Sequence, residues 1–191
     1  MAPPSRRDEL VEAALGLFLR NGFHATGIAA ILAAAGVNKM TLYHHFASKE
    51  ELVAAALELR DRRFRDWLFG RMAELAPTDP RARLLALFDA LGEWFRGEST
   101  LDPVFRGCAF IKAAGEYGDA GDPTHRLAAA HKTRIVEELT ELCRQAGLSD
   151  PDARARRLAL LKEGAIVEAF VRGDVEAWRT AREMAEHVLV D

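Results

Sequence analysis

The chain has 191 residues, 49% of them apolar, and a formal net charge of −3. That is enough for a sizeable core in one large or two small domains, but it leaves no bulk positive charge to coat nucleic acid, so any DNA contact must come from a local patch. Cys108 and Cys143 are too few for a disulfide framework or a paired-cysteine zinc site, no apolar run approaches the ~20 residues that cross a bilayer, and Met1 to Arg7 lacks an apolar signal region. The expectation is a soluble, cytoplasmic protein with no membrane association and neither metal nor cofactor.

Alanine, leucine, arginine and glutamate dominate, and runs of alternating β-branched or aromatic residues are absent, which predicts an all-α fold. The first helix is expected over 6–21, where Leu10, Ala14, Leu17 and Phe18 share one face, and Gly22 closes it. Two short helices follow at 28–35 and 39–46, separated by Gly36, Val37 and an Asn38 cap, the spacing of a helix-turn-helix. In the second of these, Leu42 and Phe46 point inward with Val37 beside them, while Lys39, Met40, Tyr43 and His44 turn outward. A face exposing a tyrosine, a methionine and a cation together implies a partner. Ser48-Lys49-Glu50-Glu51 reads as a capping box, with the Glu51 carboxylate returning to the Ser48 amide, and it opens a long helix over 49–75 with a possible break at Gly70.

Beyond that helix, four Asp-Pro pairs (Asp79-Pro80, Asp102-Pro103, Asp122-Pro123 and Asp150-Pro151, the last with Ser149 as a competing cap) read as helix entries, because Asp caps and Pro at the first helical position loses no hydrogen bond. With Gly97, Gly147 and Gly173 as stops, helices are expected over 80–96, 103–117, 123–146, 151–172 and 174–189, about nine in all. Arg60, Arg62, Arg63 and Arg65 could extend a DNA surface, but Glu58, Asp61 and Asp66 beside them favour a solvated, salt-bridged face. The two cysteines read as small hydrophobes rather than redox sensors.

The stretch from Leu10 to about Leu57 resembles the TetR family of bacterial repressors. The match rests on Phe18-Leu19-Arg20-Asn21-Gly22-Phe23-His24-Ala25-Thr26, Ala34-Ala35-Gly36-Val37, Thr41-Leu42-Tyr43-His44-His45-Phe46 and Ser48-Lys49-Glu50-Glu51-Leu52. The resemblance implies a helix-turn-helix DNA-binding domain over 1–48. It is fused through the shared long helix to a helical ligand-binding and dimerisation domain over 49–191, where Arg106-Gly107-Cys108-Ala109-Phe110 and Pro123 to Lys132 resemble one subgroup. The implied partners are operator DNA, a small-molecule effector and a second copy of the chain. Carried over by position, Lys39, Met40, Thr41 and His44 approach base edges, and Thr26, Tyr43, His45 and Lys49 hold phosphates. Met40 stands where many members have glycine; methionine can touch a thymine methyl but makes no bidentate base contact.

For the effector, an aromatic-rich set of Phe64, Trp67, Phe88, Trp94, Phe95, Phe105, Cys108, Phe110, Tyr117 and His131, with Lys112 and Glu116 as scattered polar groups, predicts an apolar pocket suited to a hydrophobic or aromatic molecule. Ordinary core explains most of these residues equally well. For the dimer, Leu158, Leu161, Ala165 and Ala169 with Trp178, Ala181, Ala185 and Val188 form stripes on the last two helices that suit a four-helix bundle across a two-fold axis; the alternative is a contact within one subunit. A helical-bundle metal protein or enzyme built on His24, His44, His45 or His131 is a rival reading, but no nucleophile-base pair, phosphate loop or two-histidine helix motif supports it. A second rival keeps DNA binding and gives the C-terminal part only dimerisation or protein docking.

Overall fold

A computed structural model describes residues 5–190, so the expectation about a signal region falls partly on Met1–Pro4, outside the described residues. The described chain is all-α, with α1 (Arg6–Asn21), α2 (Ile28–Ala35), α3 (Lys39–His45), α4 (Lys49–Leu75), α5 (Pro80–Phe95), α6 (Ala109–Glu116), α7 (Pro123–Gln145), α8 (Pro151–Val171) and α9 (Ala177–Val188). None of these helices is long and apolar enough to cross a membrane.

The entry signals act largely as their chemistry dictates. Asp79 Oδ1 accepts from the Arg81 amide at 2.8 Å and Asp122 Oδ1 from the Thr124 amide at 2.7 Å, each just ahead of a first-turn proline. Asp102-Pro103 opens no helix, which corrects the predicted start of α6. Its carboxylate accepts from the Trp94 indole N–H at 3.0 Å, so it is engaged in a tertiary contact and α6 begins only at Ala109. Before α9, Asp174 Oδ1 caps the Glu176 amide in a turn after Gly173, which delays that helix to Ala177. Asp150 supplies no side-chain cap; Arg154 instead fastens the α8 entry by donating to the Ser149 carbonyl at 2.7 Å and to Ser149 Oγ at 3.0 Å. α4 runs through Gly70 without a break.

The chain divides into two compact units, the described part of Met1–Arg62 with Cys108–His131, and Arg63–Gly107 with the described part of Lys132–Asp191. In the first, α1 packs on α2 and α3 around Leu10, Ala14, Phe18, Phe23, Ile31, Leu42 and Phe46, all essentially buried. Phe18 and Phe23 stack at 5.1 Å. Each of the larger side chains, Ala14 aside, contributes about 1.5–3 kcal/mol on burial, which is what fixes three short helices that would not persist alone.

In the second unit α9 packs against α8 and α5. Gly92 on α5 permits this approach, because a Cβ there would lie 2.7 Å from the Trp178 ring. The basic run of α4 departs from the solvated face expected of it. Arg60 and Asp61 are buried, and Asp61 Oδ1 lies 2.7 Å from His131 Nδ1 on α7, whose ring stacks on Phe110 at 3.7 Å. A buried carboxylate requires such a partner. Arg62 and Arg63 are exposed, and Arg65 pairs with Glu138 at 2.9 Å.

Candidate nucleic-acid interface and effector region

The geometry of α3 is set at its N-terminal end. Asn38 Oδ1 accepts from the Thr41 amide at 2.9 Å and from the Thr41 hydroxyl at 3.1 Å, and Gly36, in the left-handed region at φ 63°, turns the chain between α2 and α3. With Leu42 fully buried beneath it, the helix cannot roll, and Met40 is left 79% exposed and Tyr43 48% exposed beside the exposed Lys39 and His44. The Lys39 ammonium rests 5.7 Å from the centre of the Tyr43 ring. His45 is partly exposed, its ring 4.9 Å from that of His44.

Local charge differs from the global balance. From Ala13 to Lys49 the chain carries Arg20, Lys39 and Lys49 and no carboxylate side chain, although the net charge is −3. The segment thus brings no negative side chain of its own, although the Glu116 carboxylate lies 3.7 Å from His24 Nδ1.

Two assignments at the edge of this surface change. Thr26 is 1% exposed and its hydroxyl donates to the Gly22 carbonyl at 2.6 Å, so its side chain braces the turn instead of standing ready for a phosphate. In the capping box, Ser48 Oγ accepts from the Glu51 amide at 3.2 Å as expected, but the Glu51 carboxylate takes the Ala47 amide, not that of Ser48. Lys49 is partly exposed, with Nζ 3.4 Å from the His24 carbonyl.

Glu116 and Lys112, expected beside an effector pocket, instead hold the end of α1 and the turn before α2 within the first unit. Glu116 accepts from the Phe23 amide at 2.9 Å and the His24 amide at 2.6 Å, and Lys112 Nζ donates to the Leu19 carbonyl at 3.2 Å. Gly22 is required here twice over: its φ is 89°, and a Cβ would sit 2.8 Å from the Glu116 carboxylate. These partners lie 92 and 93 residues apart, beyond the reach of any local pattern.

Of the predicted pocket residues, the second unit brings together Phe64, Trp67, Trp94, Phe95 and Phe105. Trp94 is the hub, 5.4 Å from Phe64, 6.0 Å from Trp67 and 4.8 Å from Phe105. Phe88 is fully buried on α5. Cys108, Phe110, Tyr117 and His131 belong to the first unit, where Tyr117 packs against Phe23 and His24 and His131 against Phe110 and Asp61. Lys162 was missed. It is 1% exposed, 5.5 Å from the centre of the Phe64 ring and 2.5 Å from Glu163, which also takes Lys132 at 2.6 Å. Burial alone would raise the Glu163 carboxyl, but the two lysines outweigh it and hold it at about 2. Both cysteines are buried and neither is in a disulfide, and burial pushes Cys143 up to about 11, far from a reactive thiolate.

The predicted dimer stripe is mostly covered by the chain's own helices, although Leu161, Ala165 and Ala181 from it also line an open groove between α8 and α9. Leu158, Ala165, Ala169, Ala181 and Ala185 are buried within the chain, between α8, α9 and their neighbours, while Leu161, Trp178 and Val188 are partly covered. Trp178 carries a buried indole N–H with no hydrogen-bond partner among the described residues. The apolar side chains that α8 and α9 leave open are others: Leu160 at 74%, Val171 at 72% and Met184 at 52% exposure, with Val167 between them. Leu160, Gly164, Thr180 and Met184 line an open groove of about 380 Å³.

A family profile described as "Bacterial regulatory proteins, tetR family" matches residues 10–56. The solved structure of a TetR-family transcriptional regulator from Streptomyces coelicolor superposes with a TM-score of 0.83 at 33% identity, over 96% of this chain and 94% of that one. The chain belongs to the TetR family. Among curated relatives, the HTH-type transcriptional repressor KstR2 of Mycolicibacterium smegmatis is 43% identical over 90 residues, 46% of this chain and 42% of that protein. The match thus spans less than half the length of that relative. The HTH-type transcriptional regulator YjdC of Escherichia coli is 26% identical over 184 residues, 96% of this chain and 93% of that protein. Among the described residues of this TetR-family chain, no three His, Cys, Asp or Glu side chains converge as a metal centre would need.

Proposed function

We propose that this chain is a homodimeric transcriptional repressor, divided in role at Lys49, whose α3 helices grip operator DNA until a small hydrophobic or aromatic effector releases them. The observation that carries the DNA half is the outward face of Lys39, Met40, Tyr43 and His44 on a rigidly capped helix, within a segment that has no carboxylate side chain. Lys39, Met40, Thr41 and His44 serve as base readers; Tyr43, His45 and Lys49 serve the phosphates. Dimerisation is supported by the open apolar face of Leu160, Val167, Val171 and Met184, larger than solubility alone explains. Two copies related by a two-fold axis would present their reading helices to successive major grooves when these lie ~34–36 Å apart.

The effector half is supported by the aromatic cluster around Trp94 with Lys162 as its polar group. Linkage then supplies the mechanism: an effector that prefers the subunit arrangement unable to span both half-sites weakens operator binding by the same factor by which DNA weakens effector binding. The direct ring-to-ring packing of that cluster also suits the second reading, a C-terminal domain that only dimerises or docks a protein.

Footprinting on the DNA upstream of the chain's own gene, repeated across a salt series, tests the proposal. Protection should weaken in both Tyr43→Ala and Lys49→Ala; Lys49→Ala, which removes a cation, should also lower the salt dependence by about one phosphate's worth, whereas loss of the uncharged Tyr43 should leave the salt slope unchanged. Protection indifferent to both changes would count against α3 and the α4 entry as the DNA surface.

A further inference from the structure

We infer that Met40 makes the operator of this chain a thymine-methyl reader: each half-site carries a thymine whose C5-methyl group packs against the Met40 thioether. The inference rests on the DNA-binding role proposed above and adds what that surface recognises. Four observations on α3 converge on it. Met40 is 79% exposed, the largest exposure among the large apolar side chains of the described residues, and it sits on the outer face of a helix whose inner face is locked by Leu42. The Lys39 ammonium is drawn back over the Tyr43 ring, 5.7 Å from its centre. The Thr41 hydroxyl donates to Asn38 Oδ1 at 3.1 Å, so its proton serves the helix cap. The His44 ring leans on that of His45, with centroids 4.9 Å apart.

Lys39, Thr41 and His44 therefore each make a contact along the helix surface, and the most exposed large apolar side chain, Met40, has no strong donor or acceptor. A thioether cannot tell a guanine edge from an adenine edge by hydrogen bonding, since sulfur is at best a weak acceptor. In the major groove the one base feature it complements is the apolar C5-methyl of thymine. Burying that pair removes both from water, a gain that a groove without a methyl group does not return.

Replacing thymidine by deoxyuridine deletes only this methyl and leaves every hydrogen-bonding edge intact, so the wild-type protein suffices for the main test. Duplexes selected from a random pool by the full-length chain are rebuilt with deoxyuridine at one thymine pair at a time, placed symmetrically in the half-sites. The expected result is one symmetric thymine position at which affinity falls about fourfold per half-site, the factor for one buried methyl-sized group, and at which Met40→Gln is insensitive to the exchange. Met40→Leu, which stays apolar, should keep the thymine preference; far-UV circular dichroism checks that both variants remain helical. A selected duplex that binds equally well with uracil at every position overturns the methyl-reading inference and leaves the DNA-binding proposal standing. A pool from which no duplex is enriched overturns both.

Discussion

Two lysines in this TetR-family chain lie over aromatic rings at nearly the same distance in opposite surroundings. Lys39 on α3 is exposed, 5.7 Å from the centre of Tyr43, in a stretch with no carboxylate side chain from Ala13 to Lys49. Lys162 on α8 is 1% exposed, 5.5 Å from the centre of Phe64, and shares Glu163 with Lys132. The ring alone does not decide what a cation is for. Inside the helical core a charge must be neutralised, because desolvation costs more than a ring returns; on α3 water solvates the ammonium, and no carboxylate is needed to hold it there.

The sharpest way to break this contrast is to remove the carboxylate from the buried site. Glu163→Ala leaves Lys162 and Lys132 facing one another near the core and should cost about 3 kcal/mol of stability, the lower end for breaking a buried pair because Glu163 keeps 26% of its side-chain exposure. Urea unfolding measures it. The pH dependence has a fixed sign. Since the folded state holds the Glu163 carboxyl at about 2, below its ordinary 4.5, its contribution is complete above about 4.5 and is lost as pH falls toward 2. Glu163→Gln should flatten the acid limb of the stability curve in that window; an unchanged limb would mean that the pair adds nothing.

Next in size is the α5–α9 contact. Gly92→Ala drives a Cβ to within 2.7 Å of the Trp178 ring, a rigid group with nowhere to swing, and should cost about 2 kcal/mol by overpacking. A thermal midpoint that does not fall would show that the helices separate more freely than their packing suggests. On the reading face the expectation inverts. Lys39→Ala should leave stability within about 0.5 kcal/mol of wild type, yet weaken operator binding about tenfold at low salt. A loss of about 2 kcal/mol or more of stability with DNA affinity unchanged would reverse the roles assigned to the two lysines.

These sites also mark how far the sequence could be read. The reading unit was legible because its determinants are local: the Asn38 cap, the Gly36 turn and the spacing of Leu42 and Phe46 all act within a few residues. The same locality made Asp79 and Asp122 readable as caps. Asp102 misled because its partner, Trp94, lies on the preceding helix, a pairing that no capping rule weighs. On α8, apolar periodicity identified Leu158, Ala165 and Ala169 correctly as a buried face but could not say what buries them. In the chain itself the neighbouring helices do, while the more apolar-looking Leu160 stays in solvent and Lys162 goes inside. Charge and hydropathy invert at those positions because Glu163 and Phe64 compensate the lysine, and both compensations depend on the fold. The Glu116 contact with the Phe23 and His24 amides is hidden for the same reason, with the whole of α4 and α5 lying between donor and acceptor in sequence.

The smallest expected effect separates a helix surface from an interface. Gly70 on α4 and Gly164 on α8 are both exposed helical glycines around which an added Cβ meets nothing within 4 Å. For either, alanine should raise the intrinsic stability of its helix by about 0.5–1 kcal/mol, since glycine loses more backbone entropy on folding. Gly70→Ala should show that gain at every protein concentration. Gly164 lines the groove between Leu160 and Met184 that the proposed dimer would cover, where a second helix is expected to approach the bare backbone. There the added methyl group should stabilise the separated subunit yet weaken association, so its benefit should shrink or change sign as concentration rises into the dimeric range. Equal gains for both variants at all concentrations would remove Gly164 from any subunit contact and shift the dimer surface toward Val171 and the end of α8.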